Sequence, residues 1–139
     1  MMAFLPPKFE ILERTDNPET ELLERLIASM WDKPDLIELM EQIDRGPLEA
    51  YKTPNGLILL ETVDWSRGRE LSLYGMVGRD ILRTGTAEAI VRDLKKLAAY
   101  YGCSMIGGVG IPQGWKRAAP KLGFQPVSTH YVMELDDGR

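Results

Sequence analysis

Apolar residues recur along this chain with two different periods, and the change between them marks out the elements. Leu22, Leu23, Leu26, Ile27 and Met30 fall three and four apart, the stripe of an amphipathic helix. Ahead of them Thr15-Asp16-Asn17-Pro18-Glu19 combines a capping side chain, a first-turn proline and an acid, the signature of a helix start. A second stripe, Leu36, Ile37, Leu39, Met40 and Ile43, is opened by Asp32-Lys33-Pro34-Asp35 and closed by Gly46-Pro47. Lys8 to Arg14 alternates in part and reads as a short strand. Past Gly46 the period falls to two. Leu48–Thr53 and Leu57–Val63 read as strands joined at Thr53-Pro54-Asn55-Gly56, whose Asn-Gly step is a hairpin signal. After the polar turn Trp65–Arg69, Glu70–Val77 is the third strand of this meander.

The remainder alternates between the two periods. A helix from about Thr86 to Tyr101 would bury Ala89, Ile90, Leu94, Leu97 and Ala98. Cys103–Gly110 reads as a glycine-rich strand, Pro112–Leu122 as a helix ended by Gly123, and Pro126–Leu135 as a last alternating strand. The order strand, helix, helix, three strands, helix, strand, helix, strand predicts an α/β (α+β) fold. Its centre is a mixed, mostly antiparallel, twisted sheet with helices on its faces. The expected organisation is a single domain over 1–139, with residues 1–7 as an N-terminal extension and 136–139 as a polar tail.

Composition narrows the function classes. At 139 residues and 44% hydrophobic, the chain is long enough to bury a core. No apolar run approaches the ~20 residues that span a bilayer, and the N-terminus lacks the basic start of a signal peptide. Cys103 and His130 are each the single residue of their type, which excludes an internal disulfide and argues against an all-protein zinc site. A buried structural thiol and a cytoplasmic, reducing setting follow as expectations. Residues 1–50 carry 12 acids against 5 bases, and residues 51–139 carry 9 acids against 12 bases. The basic side fits a phosphorylated small molecule, with a solvated helical face the other reading of most of these residues, and no basic run or aromatic platform suggests nucleic acid.

The chemistry concentrates in Leu82-Arg83-Thr84-Gly85-Thr86-Ala87-Glu88-Ala89-Ile90-Val91, which follows a strand and opens a helix. The first N–H groups of a helix have no internal partner and sit at the positive end of its dipole, so small residues there admit an anion to the backbone. The same stretch also reads as an ordinary helix start with Thr84 or Thr86 as cap. Glu61 and Glu70 are the strand carboxylates available as general bases, and Tyr74 is a proton donor. Solvent-facing strand positions are the other reading of both glutamates, and a surface or edge position that of His130.

This order of elements, with Gly85-x-Ala87 opening the third helix and Leu122-Gly123-Phe124 closing the fourth, resembles the GCN5-related N-acetyltransferase superfamily over nearly the whole chain. The resemblance implies that the backbone of Arg83, Thr84, Gly85, Thr86 and Ala87 cradles the pyrophosphate of acetyl-coenzyme A or coenzyme A. It also implies that Met76-Val77 pairs with the pantetheine arm, and that a strand glutamate acts as base. Departures are local. Leu82 stands where the superfamily has Gln or Arg, and Arg83 is its substitute one place on. Pro112, Trp115 and Ala119 stand where Asn, Ala and a proton-donating Tyr are usual, and Pro120 interrupts the same helix. These departures imply a structural or protein-interaction component with degenerate catalytic motifs, needing no cofactor. A divergent acetyl-coenzyme A-dependent N-acetyltransferase is the alternative, and a non-reacting acyl-coenzyme A sensor a third. The segment Gly114-Trp115-Lys116-Arg117 through Leu122-Gly123-Phe124 is similar to one in acetyltransferase-like internal virion or head-associated proteins of tailed bacteriophages. That likeness implies protein partners, either virion components or further copies of this chain, and a place in the host cytoplasm or the virion. Trp115, Lys116 and Arg117 would then form the partner contact, a core side chain packing the helix onto the sheet being the other reading of Trp115.

Overall fold

The computed structural model describes residues 6–108, 115–127 and 131–135. Five strands lie in chain order across one sheet: β1 (Glu13–Thr15), β2 (Glu49–Thr53), β3 (Gly56–Trp65), β4 (Gly68–Gly78) and β5 (Met105–Gly107). The first four are antiparallel and β5 runs parallel to β4. A parallel neighbour requires a crossover. Here it is a 3-10 turn, Asp80–Leu82, followed by helix α3 (Thr84–Tyr100). Helices α1 (Thr20–Ser29) and α2 (Leu36–Asp44) connect β1 to β2, and α4 (Trp115–Leu122) follows β5.

Strand alternation divides the core between two faces. Leu57 and Leu59 point to α1 and α2 and pack with Leu23, Leu26 and Leu39. Ile58 and Leu60 point the other way, to Ile90, Leu94 and Leu97 of α3 and Trp115 of α4. Gly75 lets α1 close onto the sheet: a Cβ there would stand 2.8 Å from the Leu26 side chain.

Four elements differ from the sequence reading, one of them the strand expected over Cys103–Gly110, which is only Met105–Gly107 within the described residues. The first strand is only Glu13–Thr15 and not Lys8–Arg14, because the N–H groups of Glu10, Ile11 and Leu12 are taken by the Asp93 carboxylate of α3 at 2.8–2.9 Å instead of by a strand. Helix α3 starts at Thr84, two residues early, and neither Thr84 nor Thr86 is its cap; Arg83 holds that position with no side-chain bond. The expected last strand is not formed at residues 126–127 or 131–135, and residues 128–130 lie outside the described residues. β5, with three residues, offers little ladder to pair with, so alternation alone does not make a strand. Val127, Tyr131, Met133 and Leu135 are consequently more than four-fifths exposed.

Two glycines set the ends of β4 and β5. Gly78 (φ +144°) lies opposite Gly56, and a Cβ on it would sit 2.5 Å from the Gly56 Cα. Gly78→Ala is expected to cost about 2–3 kcal/mol in urea unfolding, from strain and clash together. Gly108 (φ +125°) passes so close to β4 that a Cβ would stand 2.6 Å from the Leu73 carbonyl oxygen.

Candidate functional site

The register of β3 and β4 slips between Leu59 and Leu60: Leu59 opposes Gly75 while Leu60 opposes Leu73. Tyr74 is the extra residue of this bulge, and a bulge bends its strand. β5 pairs with β4 only over Glu70–Ser72. From Leu73 to Gly78 the outer edge of β4 has no strand partner among the described residues, so the two strands part at the bulge.

That open edge leads to the N-terminus of α3. The first bond inside the helix runs from the Ala87 N–H to the Arg83 carbonyl at 2.8 Å. The amides of Thr84, Gly85 and Thr86 therefore precede the helical ladder. No acid occupies the first turn. A Cβ at Gly85 would meet nothing within 4 Å, so the glycine keeps open space in front of these amides. Arg79 and Arg83 flank the turn, both exposed and neither ion-paired among the described residues. Helix dipole, free amides and two cations act together on an anion.

Of the residues expected to hold the pyrophosphate, Arg83, Gly85 and Thr86 lie here, and Thr84 contributes its backbone; its side chain is outside what the structure describes. Ala87 does not offer an amide: its N–H is spent on Arg83 and its methyl is buried in the α3 core. Met76 and Val77 sit on the open stretch of β4, with the Met76 side chain in the core.

The three candidate catalytic side chains share the α1/α2 face of the sheet. Glu61 opposes Ser72, and Glu70 opposes Val63 two places along. A Cβ at Gly107 would stand 2.8 Å from the Glu70 Oε1, so Glu70 lies over β5. Burial, and then the Glu70 carboxylate, holds the Glu61 carboxyl above the usual glutamate range. Burial, followed by Asp32 and Glu61, raises the Tyr74 phenol. Glu61 thus feels Glu70, and Tyr74 feels Glu61 and the acid-rich α1–α2 connection.

Trp115 does not form an exposed contact surface. It is 1% exposed, packs against α3, and donates its indole N–H to the Ile81 carbonyl at 2.6 Å. A large apolar side chain with one polar handle is held this way once that handle finds a partner. The indole lies beneath the 3-10 turn. Arg117 is exposed, and the Lys116 side chain is outside what the structure describes. Pro112 and His130 also fall outside the described residues. Ala119 is half-buried and has no proton to give. Cys103 is half-buried, and burial pushes its thiol up. Among the described residues no cluster of His, Cys, Asp and Glu could hold a metal ion, and no helix is long and apolar enough to cross a membrane.

The sequence reading missed three groups around the site. Asp80, 7% exposed, accepts from the Thr53 hydroxyl at 3.0 Å and the Asn55 N–H at 3.2 Å. Asp93 is fully buried on three backbone amides. Glu49 accepts from the Tyr101 hydroxyl at 2.6 Å and the Tyr51 hydroxyl at 3.2 Å, and burial with this carboxylate pushes the Tyr101 phenol up to about 12. Only Asp93 left a trace: it stands on the stripe of Ile90, Leu94 and Leu97 at helical spacing, where a carboxylate needs internal partners.

A bulged strand, a parallel neighbour splayed from it and an open helix start at their end define an acetyltransferase-like fold. The chain is similar to an aminoglycoside acetyltransferase from an uncultured soil metagenomic sample, with TM-score 0.61 and 17% identity over 90% of this chain and 97% of that one. It is also similar to AAC(6')-Iy, whose structure is a complex with the bisubstrate analogue CoA-S-monomethyl-acetylneamine, with TM-score 0.60 and 16% identity over 90% and 97%. A transcriptional regulator from Bacillus halodurans C-125 superposes with TM-score 0.65 and 14% identity over 89% and 99%. At these identities the likeness is one of fold. The sequence matches no family profile and no curated protein.

Proposed function

We propose that this chain binds an acyl-coenzyme A and transfers the acyl group to a primary amine, as a divergent N-acetyltransferase. The observation that carries the reading is the open start of α3. Three amides precede the ladder, Gly85 leaves space before them, no first-turn acid repels an anion, and the unpaired edge of β4 leads to them. These residues fit a pyrophosphate with an extended arm. The soil acetyltransferase and the AAC(6')-Iy complex with a coenzyme A analogue support the reading by fold.

Acetyl-coenzyme A, when bound, supplies a thioester carbonyl for attack and a thiolate as leaving group. The chain's own part is proton handling and orientation. Thr84, Gly85 and Thr86 would hold the phosphates through their N–H groups. Glu61, a carboxylate desolvated and crowded by Glu70, takes a proton from the ammonium of the acceptor. Tyr74 keeps its phenolic proton at neutral pH and gives it where negative charge leaves, the role that Ala119 lacks the group to perform. Asp32, Glu61 and Glu70 on one side of the sheet favour a cationic acceptor.

A second reading, a non-catalytic structural or protein-interaction component on this fold, possessing virion or self-association partners, is favoured by a specific observation. Ala119 removes the usual proton donor, and Val127, Tyr131, Met133 and Leu135 stand out in solvent.

Thermal unfolding with and without acetyl-coenzyme A decides between them. At about 1 mM ligand and a dissociation constant near 10 μM, binding adds about 2.7 kcal/mol and raises the midpoint by several degrees. Gly85→Trp, whose side chain would enter the open space, is expected to abolish the shift without lowering the unliganded midpoint. No shift in the native chain would leave the second reading.

A further inference from the structure

The 3-10 turn Asp80–Leu82 joins the open edge of β4 to the amides of α3, and it is gripped from two sides. From the β2–β3 hairpin, Thr53 and the Asn55 N–H hold the Asp80 carboxylate. From α4, the Trp115 indole holds the Ile81 carbonyl. The turn also closes on itself through the Arg83 N–H and the Asp80 carbonyl at 3.1 Å. Asp80, Ile81 and Trp115 are all buried, so these bonds are shielded from water. Two segments far apart in sequence therefore converge on a three-residue turn.

We propose that Trp115 and Thr53 are positioning residues that preorganise the anion-binding loop 83–86 through the 3-10 turn. The inference rests on the acyl-coenzyme A reading above. The physical argument is one of geometry. A loop that presents backbone N–H groups binds an anion well only if those amides converge before the ligand arrives, because ordering them afterwards subtracts from affinity. The loop has no side-chain cap of its own. Its shape is inherited from the turn before it, and the turn's shape from Thr53 and Trp115. The indole size at 115 is then compatible with binding, since the indole supports the loop from beneath.

The test is calorimetric titration of coenzyme A into the full chain and three variants. Trp115→Phe keeps an aromatic ring in the core and removes the N–H. Thr53→Val keeps the shape and removes the hydroxyl. Asp93→Asn loosens α3 away from the loop and controls for general destabilisation. The expected result is affinity weakened about tenfold in Trp115→Phe and in Thr53→Val, the order of loss from a misplaced binding group. Asp93→Asn, although less stable, is expected to bind within about twofold of the native chain. Native affinity in both Trp115→Phe and Thr53→Val overturns the positioning role and leaves the acyl-coenzyme A reading intact. An equal loss in Asp93→Asn overturns it too, by tying affinity to stability. Absence of binding by the native chain overturns both readings together. Thr53→Val decides the matter if Trp115→Phe does not fold.

Discussion

Asp93→Ala is expected to destabilise the fold by about 3 kcal/mol, within the range for removing one partner of a buried, fully bonded charge. The melting midpoint should fall by roughly 10 °C for a chain of this length. The Asp93 carboxylate is 0% exposed and accepts from Glu10, Ile11 and Leu12 at 2.8–2.9 Å. Alanine would leave three backbone donors facing a cavity, one of them, at Leu12, buried. The other polar contacts of this segment are exposed. Arg92 pairs with Glu10 at 2.6 Å and Lys96 reaches the Lys8 carbonyl at 3.0 Å, but both lie in solvent, where such pairs contribute little. Asp93→Asn should fall between the native chain and alanine, because an amide keeps the shape and one acceptor oxygen. Urea unfolding followed by circular dichroism measures all three. A loss under 1 kcal/mol for alanine would mean that the strap over α3 is ornamental.

Glu61→Gln is expected to lower acetyl transfer to a polyamine by roughly 10²–10⁴-fold, the usual contribution of a general base, with thiol release as the readout. The native rate should rise with pH through a midpoint above the usual glutamate range, because burial and Glu70 hold the Glu61 proton. The glutamine variant should lack this acid limb. The stability consequence has the opposite sign. A carboxyl whose pKa is higher in the fold than in the unfolded chain favours the fold while protonated, and that contribution is lost as pH rises through the folded value. At neutral pH, therefore, Glu61→Gln should be as stable as the native chain or slightly more so. Lower activity together with unchanged or improved stability separates a base from a structural carboxylate. If Glu61→Gln loses stability instead, or keeps its rate, the role passes to Glu70 on the same face.

The elements between Leu36 and Leu97 were legible because their signals are local. Leu36, Leu39 and Ile43 repeat at helical spacing, Asn55-Gly56 marks a hairpin, and Leu57–Leu60 is too apolar to stand at a sheet edge. The open helix start at Gly85 was legible for the same reason: a strand end, small residues and a helical stripe are contiguous. The bulge at Tyr74 was not, because it is a property of register between two strands, and no residue of β4 announces it.

What the sequence determined by itself is the order of elements through the fourth helix, the α/β class and the place of the candidate anion loop, since each is encoded in side chains within one or two turns of one another. What only the tertiary structure decided is where the polar groups found partners. Asp93 draws residues 10–12 away from strand pairing, so the first strand is short. Trp115, readable as a surface anchor from its neighbours Lys116 and Arg117, is core because the Ile81 carbonyl lies within reach of its N–H. Glu61, Glu70 and Tyr74 come to one face because the β3–β4 register sets Glu61 opposite Ser72 and Val63 opposite Glu70. Each depends on contacts between residues tens of positions apart, and burial makes such a contact compulsory once the fold has excluded water from it.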